Sequence, residues 1–340
     1  MGRIVREELE KARAKSVRQS FLRLAGAVRG PRDLSFARAG ARGSTLRAME
    51  LPEGARLEKG PGGLDRLVLS ASEGEALVYL QGAHVAHFQP KGERPALWMS
   101  AQSRFEAGKP MRGGVPICFP WFGPKKDAPD APLHGFARIL PWTLSSVDRE
   151  ADGRMRAVLH LAAEAAARGG FPADLGPSLA VTVGRALRME LTVRNVGPAP
   201  ATFEQALHSY LAVSDVRQAR IRGLEGVGYV DKTAAMARKP GESGPVAIAA
   251  ETDRVYLGAT GTVTIEDPGW KRRIMVGKAG SSTTVVWNPW VAKAKAMPDF
   301  GDDEWTGMVC VETANAMDDA VTLAPGAVHV MTATLEVQPA

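Results

Sequence analysis

At 340 residues the chain can hold two ordinary domains or one large β-sandwich with a tail, and 45% hydrophobic against 24% charged residues suits a substantial core. No apolar run reaches the roughly 18 residues of a helical membrane span, and two cysteines, Cys118 and Cys310, cannot build a disulfide framework and read as free, buried thiols in a reducing compartment. The net charge of +6 is unevenly placed: residues 1–50 hold 12 basic against 5 acidic residues, which leaves 31 against 32 in the body and removes the main support for nucleic-acid binding.

The first sixteen residues can form a short charged helix, and the run from Lys11 to Arg47 carries one acidic residue, Asp33. That pattern fits an organellar transit peptide, whereas Glu7, Glu8 and Glu10 fit a disordered basic arm better. On either reading, residues 1–50 lie outside the fold, and a body from 55 to 338 is expected to be one domain.

From Leu64 the pattern changes to short apolar runs: LDRLVLS, then EALVYLQ from Glu75 and HVAHF from His84, and later MRAVLHL from Met155, LAVTV from Leu179 and LRMELTV from Leu187. TVTIED from Thr262, TVVWN from Thr284, MVCVE from Met308 and VHVMTATLEV from Val328 complete the series. Each is β-branched or alternating and bounded by turn residues, which predicts strands. The expected class is all-β, a large antiparallel sandwich.

The stretch Met111–Trp142 breaks this rhythm. Pro116, Pro120, Pro124, Pro129 and Pro132 exclude a helix, so short extended pieces joined by ordered loops are expected. Arg112, Arg138, His134, Phe119, Trp121 and Phe122 within it suit the floor of a site for a polar, anionic ring. A guanidinium fork matches phosphate oxygens and keeps its charge, which makes Arg112 and Arg138 phosphate candidates. Gln102, ten residues earlier, is a weaker candidate for a contact with the same ligand.

Other chemistries lack their parts. His84 and His87, three apart on a strand, point to opposite faces and no cysteine or acid cluster completes a metal site. There is no Gly-x-Ser-x-Gly elbow, no phosphate loop ending in Gly-Lys-Ser/Thr and no dinucleotide fingerprint. Neither metal nor cofactor is expected.

The blocks Arg112-Gly113-Gly114-Val115-Pro116, Phe119-Pro120-Trp121-Phe122-Gly123-Pro124, His134-Gly135-Phe136-Ala137-Arg138 and Pro141-Trp142 resemble the hexose-6-phosphate mutarotases, relatives of aldose 1-epimerase. The likeness continues through Gln205-Ala206-Leu207-His208-Ser209-Tyr210-Leu211, Glu251-Thr252-Asp253-Arg254-Val255-Tyr256, Val286-Trp287-Asn288-Pro289-Trp290, Met297-Pro298-Asp299-Phe300 and Val309-Cys310-Val311-Glu312, some 280 residues in all. One departure is Phe171-Pro172-Ala173-Asp174-Leu175, where many members carry an aromatic-Pro-aromatic cluster.

The resemblance implies a galactose mutarotase-like sandwich and interconversion of α and β anomers of a hexose 6-phosphate. It also implies Glu312 as base, His208 as the acid serving the ring oxygen, His134 as a substrate-orienting histidine and Asp253 as a hydroxyl-binding residue. Two other readings stay open, a mutarotase for unphosphorylated aldoses and a non-catalytic carbohydrate-binding sandwich. A small-molecule sugar phosphate is the expected partner, with no nucleic acid or membrane, for a monomer in the cytoplasm, or in a chloroplast or other organelle if the arm is a transit peptide.

Overall fold

Strict alternation decides how the long strands lie. Along Ala186–Asn195, Leu187, Met189, Leu191 and Val193 are buried while Arg188 and Arg194 are exposed. Each such aliphatic side chain contributes roughly 1.5–3 kcal/mol on burial, so a one-residue slip in register would turn the whole apolar set to water. A computed structural model describes residues 50–125, 127–162 and 174–340. The arm up to Met49, and the Phe171-Pro172-Ala173 departure, lie outside the described residues. Residues 50–340 form one compact unit.

Two eight-stranded antiparallel sheets carry the unit. The first runs Arg220–Arg222, Val263–Asp267, Arg272–Ala279, Val328–Pro339, Ala186–Asn195, Leu175–Val183, Met155–Leu161 and Trp142–Arg149. The second runs Ala237–Lys239, Tyr229–Asp231, Thr252–Leu257, Thr283–Asn288, Met308–Asn315, Gln205–Leu207 and Ile117–Cys118, with Tyr210–Ala212 also paired to Met308–Asn315. A four-stranded sheet, Ala55–Lys59, Asp65–Ala71, Gly74–Tyr79 and His84–Pro90, and a pair, Ala201–Phe203 with Val321–Leu323, complete it. The all-β antiparallel expectation holds. Among the described residues the α-helix is Trp290–Ala296, and no helix is long and apolar enough to cross a membrane.

One apolar cluster joins the two large sheets: Leu179, Val181, Leu191 and Met331 from the first, Leu207, Val286, Val309 and Val311 from the second. The opposite face of the second sheet carries a smaller cluster, with Cys118, Ala206, Val230, Val255, Val285 and Ala314. Met308–Asn315 is therefore buried on both faces, every residue of it. That is why an acid in this strand, Glu312, sits inside the protein rather than at a wet strand end.

The runs read from sequence all fall in strands. Trp142–Arg149 and the short pieces between residues 201 and 239 were not legible, because their alternation is imperfect or they are three residues long. Residues 205–212 form two short strands separated at His208 and Ser209. At the break the Ser209 amide turns back to the Leu207 carbonyl, 2.8 Å, while the His208 amide donates to the Pro116 carbonyl, 3.0 Å, continuing the pairing with Ile117–Cys118.

Candidate active site

The second sheet's register assembles the site. Asp253 lies opposite Trp287, Trp287 opposite Cys310, and Cys310 opposite Tyr210, while Val285 lies opposite Glu312 in the next row. Since side chains alternate across a strand, Asp253, Trp287, Tyr210 and Glu312 share one face. A cleft of about 1420 Å³ opens over that face, and Glu312, His208, His134, Asp253, Lys232 and Arg112 line it.

His208 Nε2 stands 3.4 Å from Glu312 Oε1. Glu312 is 1% exposed and His208 8%. Neither the second carboxylate oxygen of Glu312 nor Nδ1 of His208 has a hydrogen-bond partner. Burial pushes the Glu312 carboxyl well above its ordinary value, and Asp253 adds to the shift, while Lys232 and Arg138 oppose it. Burial likewise pushes His208 well below 6.5, helped by Arg138, Arg112 and Lys232. The pair thus favours a neutral imidazole beside a protonated carboxyl. Tyr210 stacks flat on the His208 ring, centroids 4.7 Å apart and planes 8° from parallel, and Trp287 meets it edge-on.

His134 sits on a constrained loop. Its φ is +63°, in the left-handed region where a side chain costs of order 1–3 kcal/mol, and the next residue, Gly135, passes so close to Phe119 that a Cβ would lie 2.0 Å from the Phe119 carbonyl oxygen. The Gly123 amide donates to His134 Nδ1 at 3.1 Å, so the ring's own proton resides on Nε2 and the imidazole offers a donor there. Burial, Arg138 and His208 hold it well below its ordinary pKa, hence neutral. Glu204 fastens the loop by accepting from the Phe122 amide, and it accepts from the Met317 amide as well.

The two arginines differ. Arg112 donates from Nη1 to the Tyr210 hydroxyl, 3.0 Å, and from Nη2 to both Asp299 oxygens, 3.1 and 3.2 Å. Burial works against its charge, yet Tyr210 and Asp299 hold its pKa above the ordinary value. Arg138 stands behind the lining: one nitrogen donates to the Leu133 carbonyl, 2.6 Å, Nε has no partner, and no carboxylate pairs with it among the described residues. Burial lowers its pKa. Gln102 is exposed and outside the lining, and its backbone N–H donates to Ser100 Oγ. The glutamine that is buried nearby, Gln81, braces the loop through the carbonyls of Glu106 and Lys109 and the Gly108 amide.

The sequence reading did not give Tyr210, Asp299 or Lys232 a role. Tyr210 lies two residues from His208, the spacing that puts both on one face of a strand. Lys232 Nζ lies 3.0 Å from Asp253 and 5.3 Å from the centre of the Phe122 ring.

The family profile for aldose 1-epimerase matches residues 65–336, and so spans nearly the whole described fold. The chain belongs to the aldose 1-epimerase family. A candidate glucose-6-phosphate 1-epimerase from Cenchrus ciliaris is 35% identical over 283 residues, 80% of this chain and 84% of the relative. One from Escherichia coli is 36% identical over 255 residues, 75% of this chain and 84% of the relative. The crystal structure of a candidate mutarotase, YeaD, from Salmonella typhimurium superposes with a TM-score of 0.80 at 31% identity, covering 86% of this chain and 96% of that one. Within this family the protein is an isomerase of sugar anomers.

Proposed function

We propose that this epimerase interconverts the α and β anomers of a hexose 6-phosphate, glucose 6-phosphate foremost, with Glu312 and His208 moving the protons. The observation that carries this is a buried carboxyl–imidazole pair, 3.4 Å apart, with one free acceptor oxygen and one free ring nitrogen, in a cleft with ample room for a hexose phosphate. A module that only bound sugar would have no use for such a pair. The names of the relatives support the phosphorylated substrate. So does Arg138, a half-buried arginine whose Nε has no partner and which no carboxylate pairs with among the described residues, an arrangement that favours an anionic ligand.

In the cycle, ionised Glu312 takes the proton from O1, the electron pair forms the C1 carbonyl, the bond from C1 to the ring oxygen breaks, and protonated His208 gives its proton to that oxygen. The open aldehyde turns about C1–C2. Closure on the other face returns both protons, one from Glu312 to O1 and one from the ring hydroxyl to His208. With the open chain bound, Glu312 is protonated and His208 neutral, which is the state that burial favours. His134 Nε2 can donate to a substrate oxygen, and Asp253 can accept from a hydroxyl. Free, buried Cys118 and Cys310 suit a reducing, cytoplasmic setting.

One observation favours unphosphorylated aldoses as a second reading: Asp299 already occupies the Arg112 fork. Exchange NMR between the α and β H1 resonances of glucose 6-phosphate tests the main reading. The protein should raise the exchange rate well above the spontaneous rate, and no acceleration would overturn it.

A further inference from the structure

We propose that Lys232 binds substrate, gripping with Asp253 two adjacent hydroxyl groups of the sugar ring. This rests on the sugar-phosphate reading and adds the residue that reads the ring's hydroxyl pattern. Lys232 follows the strand Tyr229–Asp231, whose last residue lies opposite Arg254, so the next step of the antiparallel register brings Lys232 beside Asp253. The backbone is fixed there. Asp231 accepts from the Thr233 amide at 3.0 Å, from its hydroxyl at 2.6 Å and from the Lys239 ammonium at 2.6 Å.

The contacts of the pair set it apart from the protein's closed ion pairs. Arg112 gives donors to both Asp299 and Tyr210, and Arg272, beside Asp267, gives its remaining donors to the carbonyls of Arg94, Pro95 and Ala212. Lys232 and Asp253 share one contact of 3.0 Å, and among the described residues neither makes another ion pair or side-chain hydrogen bond. Two ammonium protons and one carboxylate oxygen therefore remain available in a wall of the same cleft that holds Glu312 and His208. Side-chain exposures of 23% and 12% make them part of that wall rather than of the outer surface.

Adjacent ring hydroxyls stand at about hydrogen-bonding distance from one another, as the ammonium and carboxylate do here. Each hydroxyl can accept from the one and donate to the other. With O1 served by Glu312 and the ring oxygen by His208, the remaining neighbours are O2 with O3 and O3 with O4. O3 belongs to both pairs. Inverting C2 or C4 keeps the neighbouring oxygens about as far apart but turns one from equatorial to axial, out of line with the ammonium or the carboxylate, which makes this wall a determinant of which hexose is accepted.

The test compares anomer exchange of glucose 6-phosphate and 3-deoxyglucose 6-phosphate in the wild type, Lys232→Met and Lys232→Arg, with thermal midpoints recorded. A charged hydrogen bond of this kind corresponds to about ten- to a hundredfold in kcat/KM. Lys232→Met should lose that much on glucose 6-phosphate, and the penalty for deleting O3, about as large in the wild type, should shrink several-fold in the variant. Lys232→Arg should recover part of both and serves if the methionine variant fails to fold. An O3 penalty that is the same in wild type and variants would overturn the proposal. Loss of the preference for glucose 6-phosphate over glucose would overturn it too, by assigning Lys232 to the phosphate. Should the wild type leave glucose 6-phosphate unaccelerated, the sugar-phosphate reading fails separately, and glucose against 3-deoxyglucose then decides the role of Lys232 by the same comparison.

Discussion

Replacing Arg112 with methionine tests the support of the fold that its contacts with Asp299 and Tyr210 show against the capture of phosphate that we propose. Its fork spans Asp299 at 3.1 and 3.2 Å and the Tyr210 hydroxyl at 3.0 Å, and the Asp299 side chain is only 14% exposed. Removing the arginine leaves that carboxylate nearly buried with no counter-charge. Breaking a fully buried pair in this way costs about 3–5 kcal/mol and an exposed one less than about 1, so we expect a loss of about 2–4 kcal/mol here. Urea unfolding followed by tryptophan fluorescence measures it. Combining Arg112→Met with Asp299→Leu should restore most of the stability, because no charge is then stranded. If phosphate also contacts Arg112, the double variant should remain impaired on glucose 6-phosphate despite its recovered fold. Stability of Arg112→Met within about 0.5 kcal/mol of the wild type, the range of an ordinary surface change, would refute the reasoning and leave the fork free for ligand.

Other predictions concern the proton carriers, acid stability and the arm. Glu312→Gln and His208→Asn should each cut turnover by about 10²–10⁴-fold with little loss of substrate affinity, and the double variant should be scarcely worse than the more damaged single one; near-normal turnover in Glu312→Gln, measured by the same exchange NMR, would sink the assignment. The rate should follow a bell-shaped pH profile whose acid limb lies below 6.5, since burial resists a second proton on the pair. His84, pushed down to about 3 by burial, and His134 and His208, also pushed down, stay neutral in the fold while the unfolded chain takes up protons below about 6.5. Each should therefore weaken the fold by about 1.4 kcal/mol per pH unit as pH falls below 6.5, with Glu312, whose pKa is raised, acting in the opposite direction; unfolding free energy that is flat from pH 7 to 5 would contradict this. Deleting residues 1–50 should leave the thermal midpoint and exchange activity unchanged, and a large fall in either would show that the segment packs on the body.

Strands with clean alternation were legible because a period of two is a local property. Met155–Leu161 and Ala186–Asn195 show it in full. Glu312 was legible only in part: an acid ending an apolar run reads as a strand end facing water, and its burial follows from coverage of both faces of Met308–Asn315, which no local pattern reports. The arginines looked alike in sequence. Their difference comes from Asp299, 187 residues along the chain from Arg112. Lys232 was hidden because Tyr229–Asp231 is too short to alternate, so its neighbour Asp253 is fixed by register alone. Gln102 misled through its closeness in sequence to Arg112, since the intervening turn carries it out to solvent.

The measurement that bears most directly on the central claim is kcat/KM for anomer exchange of glucose 6-phosphate and of glucose, side by side, on the same preparation. A phosphate met by even one buried guanidinium should favour the phosphorylated sugar by about tenfold or more. A preference of that size, together with acceleration of both sugars over the spontaneous rate, is the predicted result. Equal values, or a preference for glucose, would contradict the account and make the enzyme a mutarotase of unphosphorylated aldoses.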